Sequence, residues 1–287
     1  MDSAANNTLN SVLITGGTGF LGQNLTWRLL ENGVKRVCVY SRGEFAQAKM
    51  RRAMYDSERI RWFIGDVRDR DRLERAMHGV DYVIHAAALK RIEVGAYNPD
   101  EMVATNVNGT QNVIWAAERA KVRKVLFVSS DKAFEPCSPY GQTKALAESL
   151  VLTANDMYPN GPRFAVCRYG NIWNSTGSIV PTWKELIAIG ATHVPVTDPD
   201  CTRFFMRVSE AVDLVLGTLE TMVGGEVAIP ELPAYRVGDL AAAMGVKMDV
   251  RGLPEHEKLH ESMGPSNCSL GARRMAVSEL EAELTRL

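Results

Sequence analysis

Short apolar runs alternate with longer amphipathic stretches along this chain. Val12 to Ile14 is a compact apolar run, and Leu25, Trp27, Leu29 and Leu30 follow it at helical spacing. Lys35–Tyr40 (KRVCVY), Arg61–Ile64 (RWFI), Asp81–His85 (DYVIH), Lys124–Val128 (KVLFV) and Phe164–Tyr169 (FAVCRY) continue the strand series. Between them, residues 45–59, 71–78, 100–120 and the stretch from Tyr140 onward predict helices, as do 181–189 and 208–223. Ser209 and Gly224 are the expected caps of the last of these. Toward the end, 225–230 and 247–250 predict strands around a helix at 235–244.

The turn after the first strand sharpens this picture. Gly16, Gly17, Gly19 and Gly22 satisfy both a GxxGxxG and a GxGxxG spacing. Strand, glycine-rich turn and helix form the dinucleotide-binding arrangement, in which bare backbone and a helix N-terminus meet a pyrophosphate. Gly16, Thr18, Gly19, Phe20, Leu21 and Gly22 are the expected cradle. The predicted fold is α/β, a Rossmann-type doubly wound parallel sheet with a smaller, interleaved substrate-binding lobe. Residues 1–170 are expected to form the dinucleotide-binding domain, with 202–224 returning to it. Residues 171–201 and 225–287 are expected to form the smaller lobe.

Composition narrows the function classes. Thirty-three Lys and Arg against 34 Asp and Glu give a net charge of -1, which is no nucleic-acid footprint. The five cysteines form no CxxC, so neither a zinc site nor a disulfide framework is indicated. His256 and His260 flank HEKLH, which is not the HExxH metal motif, so no metal is expected. The polar start, MDSAANNTLN, does not read as a signal peptide, and no apolar run reaches membrane-spanning length. A cytoplasmic setting with no membrane partner follows.

Candidate ligand contacts fall at the carboxyl ends of the predicted strands. Ser41 and Arg42 stand where an acid would favour NAD, and an arginine there suits the 2'-phosphate of NADP. Glu44 argues the other way, and Arg42 also reads as ordinary surface charge. Asp66 is a candidate for the adenine amino group with Val67 packing on the ring; equally, Asp66 reads as a helix cap. Ala86, Ala87 and Ala88 suggest close backbone approach or tight packing, and Lys90 follows at the ligand end of the sheet. Asn106 and Asn108 beside Gly109 are costly within a helix, which points to hydrogen bonds with neighbouring loops.

The chemistry begins after the fifth strand, at Ser129-Ser130-Asp131-Lys132. Tyr140 and Lys144 come next, four apart and on one helical face. A lysine so placed lowers the tyrosine pKa and holds the nicotinamide ribose, and the tyrosinate then accepts an alcohol proton. Arg168, Lys184 and Arg203 are candidates for diphosphate contacts, with Lys184 read rather as surface.

The chain resembles the extended short-chain dehydrogenase/reductase superfamily, and within it the inverting UDP-N-acetylglucosamine 4,6-dehydratases. The motifs that carry this are SRGEF (41–45), GDVRD (65–69), HAAALK (85–90), TNVNGTQNV (105–113), SSDKAFEP (129–136), YGQTK (140–144), RYGN (168–171), TDPDCTRFF (197–205) and EKLHE (257–261). SSDK with TRFF and EKLHE is the most specific set, because sugar epimerases do not usually carry it. The resemblance implies a UDP-sugar substrate and a homo-oligomer, with Asp131 protonating the C6 hydroxyl and Lys132 taking the C5 proton. It also implies cofactor contacts from Asn106 and Ser129, and substrate contacts from Lys90, Ser130, Asp131, Lys132, Tyr140, Asn171, Arg203 and Glu257. Tightly held NADP is the expected cofactor. Arg91 stands where the family commonly has histidine, and Trp173 and Asn174 where smaller residues are usual, so an altered sugar pocket is expected. A sugar-nucleotide 4- or 5-epimerase, a C5-retaining dehydratase and a non-catalytic dinucleotide-binding scaffold are the other readings.

Overall fold

The computed structural model describes residues 9–287, so residues 1–8 of the polar start lie outside the described part. The strands are β1 (Ser11–Thr15), β2 (Arg36–Ser41), β3 (Ile60–Ile64), β4 (Tyr82–His85), β5 (Lys124–Val128), β6 (Arg163–Cys167), β7 (His193–Val196), β8 (Thr202–Phe204), β9 (Val227–Ala228), β10 (Ala234–Arg236), β11 (Lys247–Val250), β12 (Ser262–Gly264) and β13 (Asn267–Cys268). Seven of them form one sheet in the order β3-β2-β1-β4-β5-β6-β9, with every pair parallel. The strand order reverses between β1 and β4, and in such sheets ligands bind beyond the carboxyl ends at that point.

Helices cover both faces, as a parallel sheet requires. They are α1 (Phe20–Glu31), α2 (Glu44–Ala53), α3 (Arg70–Met77), α4 (Ile92–Tyr97), α5 (Pro99–Met102), α6 (Gly109–Arg119), α7 (Pro139–Met157), α8 (Ile179–Ala188), α9 (Val208–Thr221), α10 (Val237–Ala243) and α11 (Val277–Thr285). Val12 and Ile14 point to one face, where Leu25 and Leu29 of α1 and Val212, Val215 and Leu219 of α9 close the core. Leu13 points to the other, against Leu73 and Met77 of α3, Val113 of α6 and Val151 of α7. Successive residues of one strand thus serve opposite cores, the period-two rule of a strand buried on both sides.

A smaller lobe packs around a separate core that includes Trp173, Trp183, Val194, Phe205, Tyr235 and Leu240. There β7 pairs with β11 and β8 with β10. Trp173 belongs to this core, its ring centroid 5.1 Å from Phe205 and 5.9 Å from Tyr235. It does not itself line the large cavity, but Tyr235, against which it packs, does. β9, inside the range expected for the smaller lobe, instead extends the large sheet beside β6.

Other differences from the sequence reading are local. The helix expected over 45–59 stops at Ala53, after which Tyr55 and Asp56 take left-handed backbone angles. The long helix expected over 100–120 is interrupted by a π-helical turn at Val103–Asn108. The helix expected from Tyr235 begins at Val237, because Ala234–Arg236 pair with β8. At the start of α9 the cap is Arg207, whose backbone N–H donates to the Glu210 carboxylate at 2.6 Å, rather than Ser209. Among the described residues no helix is long and apolar enough to cross a membrane.

Candidate active site

A cavity of about 810 Å³ opens at the carboxyl ends of the strands and runs between the sheet and the smaller lobe. At one end lies the glycine turn. Gly16 has φ +68°, and a Cβ there would lie 2.9 Å from the Ala87 backbone. Only glycine permits both this angle and this approach. Gly16, Thr18, Gly19, Phe20, Leu21 and Gly22 all line the cavity, as do Ala86, Ala87, Ala88 and Lys90.

Ser41, Arg42, Asp66 and Val67, at the ends of β2 and β3, line the cavity beside that turn. The Asp66 carboxylate accepts hydrogen bonds from Arg68 Nε at 3.0 Å and Nη2 at 2.8 Å, and lies 3.7 Å from the Arg42 guanidinium. Burial opposes ionisation of Asp66, but these arginines hold its carboxyl below the ordinary range. The helix cap here is Asp69, which accepts the Arg72 N–H at 2.9 Å. Arg42 therefore faces a carboxylate rather than standing as an uncompensated cation.

Asn106 does not line the cavity. Its side-chain oxygen accepts the Leu89 N–H at 2.8 Å, and its amide donates to Leu89 O at 2.9 Å and Thr143 Oγ1 at 3.1 Å. The residue ties the Ala86–Lys90 loop to α7 and shapes the site from behind. Thr105, its neighbour, does line the cavity, and its hydroxyl has no partner. The Ser129 hydroxyl is likewise buried, unpartnered and at the wall.

The ionisable cluster stands on the turn after β5. Ser138 caps α7 by accepting the Gly141 N–H at 3.2 Å, and Pro139 occupies the first turn. Gly141 lets the helix pack directly on the Lys132 carbonyl, where any Cβ would collide. This contact sets Tyr140 beside the Asp131–Lys132 turn. Lys132 Nζ donates to Asp131 Oδ1 at 3.0 Å and to Asn171 Oδ1 at 3.4 Å, and pairs with Glu261 Oε1 at 3.1 Å. Three oxygens thus surround the ammonium.

The two carboxylates respond differently. Burial drives the Asp131 carboxyl up, Lys132 opposes, and the Glu261 charge adds to the rise. For Lys132, burial works against the charge, but Asp131 and Glu261 overcome it and hold the ammonium above its ordinary value. A lowered Lys132 pKa, which a resting base requires, is therefore not what this site produces. Asp131 does not itself line the cavity; Ser130, Lys132, Tyr140, Asn171 and Glu261 do.

Burial also raises the Tyr140 hydroxyl, opposed by a hydrogen bond with Ser130 and the charge of Lys132. Lys144 is not its electrostatic partner here. Its Nζ donates to Val128 O at 2.6 Å and sits 3.7 Å from the Phe127 ring centroid. Burial pushes Lys144 down to about 7, against the charge of Glu148.

The smaller lobe supplies the opposite wall. Arg203 pairs with Glu257 and donates to Thr202 O at 2.8 Å, and both charged residues line the cavity. Tyr169, Tyr235, Lys258 and Glu261 also line it, and sequence reading did not single them out. Tyr169 lies in RYGN and Lys258 and Glu261 in EKLHE, but nothing local marks which member faces inward, and Tyr235 lies in neither motif. His260 accompanies Thr202 at 2.9 Å.

Two diphosphate candidates fall away. Lys184 is exposed and away from the cavity. Arg168 forms a two-pronged pair with Glu148 and donates to Met263 O at 2.6 Å, also off the cavity wall. Removing one partner of such a buried pair leaves an uncompensated charge. Arg168→Met is therefore expected to lower the unfolding free energy by about 3–5 kcal/mol in denaturant titration, with the KM for substrate unchanged in the folded protein.

The fold and the cavity together define a dinucleotide-binding enzyme of the extended short-chain dehydrogenase/reductase class. The chain belongs to the polysaccharide biosynthesis protein family, whose profile matches residues 12–275. The inverting UDP-N-acetylglucosamine 4,6-dehydratase of Campylobacter jejuni is 43% identical over 90% of this chain and 78% of its own. A UDP-glucose 4-epimerase of Rickettsia prowazekii is 39% identical over 88% of this chain and 77% of its own. The solved structure of Pen from Bacillus thuringiensis shares the fold with a TM-score of 0.91, at 32% identity, covering 98% of this chain and 99% of that one.

These comparisons also correct the cofactor. The dTDP-glucose 4,6-dehydratase DesIV of Streptomyces venezuelae, solved with NAD, matches with a TM-score of 0.79 at 22% identity over 87% of this chain and 86% of that one. Further structures of like fold hold NAD as well. The expectation of NADP is overturned. In this chain the Asp66 carboxylate, shared by Arg68 and Arg42, stands at that position, so Arg42 is not the unopposed cation on which the expectation rested.

Proposed function

We propose that this protein is an inverting UDP-N-acetylglucosamine 4,6-dehydratase with NAD as its resident cofactor. The observation that carries the reading is the Asp131–Lys132 pair, 3.0 Å apart, with Lys132 on the cavity wall beside Tyr140 and Asp131 directly behind it. An epimerase needs a base for the C4 hydroxyl; a dehydratase also needs an acid for the C6 hydroxyl and an acceptor for the C5 proton. The acid–amine pair favours the second over the first, and over a scaffold without turnover.

The dinucleotide fits the residues present. The Gly16–Gly22 turn offers bare backbone and a helix N-terminus, and the unpartnered Thr105 and Ser129 hydroxyls face the cavity. Lys144 would hold the nicotinamide ribose. NAD, when bound, supplies the hydride acceptor for C4 and the hydride donor for C6.

Tyr140 takes the C4 hydroxyl proton as that carbon is oxidised. The C4 ketone then acidifies C5. Asp131 passes its proton to the departing C6 hydroxyl, which leaves as water with the C6–O electron pair. Lys132 accepts the C5 proton while handing one of its own across the hydrogen bond to Asp131. The C5–H electrons become the C5–C6 double bond. This relay explains how an ammonium held by two carboxylates still serves as the proton acceptor. With C6 reduced by hydride of the kind NAD would supply, a solvent-derived proton reaching C5 on the opposite face would yield UDP-2-acetamido-2,6-dideoxy-β-L-arabino-hex-4-ulose. Lys90, Ser130, Asn171, Arg203 and Glu257 would hold the substrate. We place the enzyme in the cytoplasm, where its nucleotide-sugar substrate is found, as a homo-oligomer whose size light scattering would measure.

Incubation with UDP-N-acetylglucosamine in heavy water tests this. The expected product has lost one water and carries deuterium at an inverted C5, read by mass spectrometry and proton NMR. An isomer of unchanged mass would show an epimerase, and retained C5 configuration would exclude the inverting course. Stripped protein is expected to bind NAD more tightly than NADP.

A further inference from the structure

We propose that Glu261 is a positioning residue for the elimination, a fixed counter-charge that lets Asp131 keep its proton beside the Lys132 ammonium. The inference rests on the dehydratase reading and assigns a role to a residue that reading leaves idle.

Glu261 comes from the smaller lobe, 130 positions along the chain from Asp131. It is 2% exposed, and the shorter of its ion pairs is made across the lobes, to Lys132. One oxygen lies 3.1 Å from Lys132 Nζ; the other has no hydrogen-bond partner and lies 4.0 Å from Lys258 Nζ. The backbone around it is fixed, since Glu261 N–H donates to Ser269 Oγ at 2.9 Å and Ser269 meets Thr202 at 2.6 Å. Lys258 ties the same segment to the catalytic turn by donating to Phe134 O at 2.6 Å. The carboxylate is thus delivered to Lys132 by a strap anchored on both lobes.

The charge count follows. One ammonium, Lys132, serves two buried carboxyl groups. With both ionised, the cluster would carry an excess negative charge away from water, which is costly. One bound proton removes that excess. Glu261 also has Arg203 and Lys258 beside it, whereas Asp131 has only Lys132. The Tyr140 and Tyr235 hydroxyls, the remaining titratable groups facing Asp131, bring no positive charge. The proton therefore belongs on Asp131. Its Oδ2 is buried and unpartnered, free to carry a hydrogen. Without the Glu261 charge, Lys132 would need Asp131 as its sole anion, and Asp131 would ionise and cease to be an acid.

The pH profile of the elimination tests the inference in the NAD-loaded enzyme. An acid that must be protonated makes the rate fall as pH rises through its pKa. In Glu261→Gln this alkaline limb is expected to move down by about 1–2 pH units, with the KM for UDP-N-acetylglucosamine unchanged. Glu261→Asp keeps the charge and is expected to restore the limb. A slower Glu261→Gln enzyme with an unmoved limb would reduce Glu261 to a structural role and overturn the proposal. Should Glu261→Gln not fold, infrared difference spectra between the wild type and Asp131→Asn, both without substrate, locate the proton directly. A neutral carboxyl band belonging to Asp131 near neutral pH is expected; its absence overturns the proposal. That measurement involves no turnover, so it stands apart from any failure of the dehydratase assay.

Discussion

An Asp131→Asn enzyme is expected to lose water elimination by about 10²- to 10⁴-fold, the usual contribution of a positioned general acid, while still oxidising C4. Asparagine matches the shape of the neutral acid and keeps a hydrogen-bonding group beside Lys132, but it has no proton to give. The substitution also removes the site from which Lys132 recovers charge balance in the relay. Since Tyr140 and Lys144 are untouched, the C4 hydroxyl is still deprotonated. Material therefore collects at the ketone stage, and reduced nicotinamide absorbance should build up on the enzyme after substrate is added. Burial of Asp131 to 1% exposure is what permits a neutral carboxyl at neutral pH. Full water loss in this variant would remove Asp131 from the mechanism. Loss of water elimination without the absorbance rise would move its role to the earlier step.

The sheet was legible because its long strands are short apolar runs separated by amphipathic stretches, and parallel strands buried on both faces read that way. The glycine turn was legible for a related reason, since backbone contact at Gly16 admits no other residue. The interruption of the helix through Asn106 was visible only as a propensity cost. Its cause, the double hydrogen bond with Leu89, depends on a loop 17 residues away. The chemical wall was half legible. Asp131, Lys132, Tyr140 and Lys144 sit close in sequence, so helical spacing and one turn bring them together. Glu261 and Tyr235 arrive through the packing of the smaller lobe, and no periodicity encodes that meeting. Electrostatics were least legible. Lys144 was expected to act on Tyr140, but its ammonium is directed to the Val128 carbonyl and the Phe127 ring. The Lys132 charge, which burial opposes, is sustained by Asp131 and by a carboxylate that only the fold supplies.

Tyr140→Phe is expected to act one step earlier and to produce the complementary signature. Tyr140 is 8% exposed, and Ser130 and the charge of Lys132 oppose the rise that burial imposes on its hydroxyl. Phenylalanine preserves the ring and its packing on α7 but removes the oxygen that accepts the C4 hydroxyl proton. Turnover should fall by about 10²- to 10⁴-fold. Unlike the Asp131 variant, no reduced nicotinamide should appear, because C4 oxidation requires that proton to leave. Deuterium from heavy water should likewise fail to enter C5 of recovered substrate, since C5 becomes acidic only once C4 is a ketone. Substrate affinity should change little, as one phenol oxygen is a small part of a cavity of about 810 Å³. The sign of the pH response separates Tyr140 from its neighbours. Burial raises the Tyr140 hydroxyl and Lys132 opposes the rise, so the wild-type rate should climb with pH wherever tyrosinate formation limits it. In Tyr140→Phe that rising limb should vanish, whereas in Asp131→Asn it should persist in the rate of nicotinamide reduction. A Tyr140→Phe enzyme that still reduces its nicotinamide at the wild-type rate would exclude Tyr140 as the C4 base.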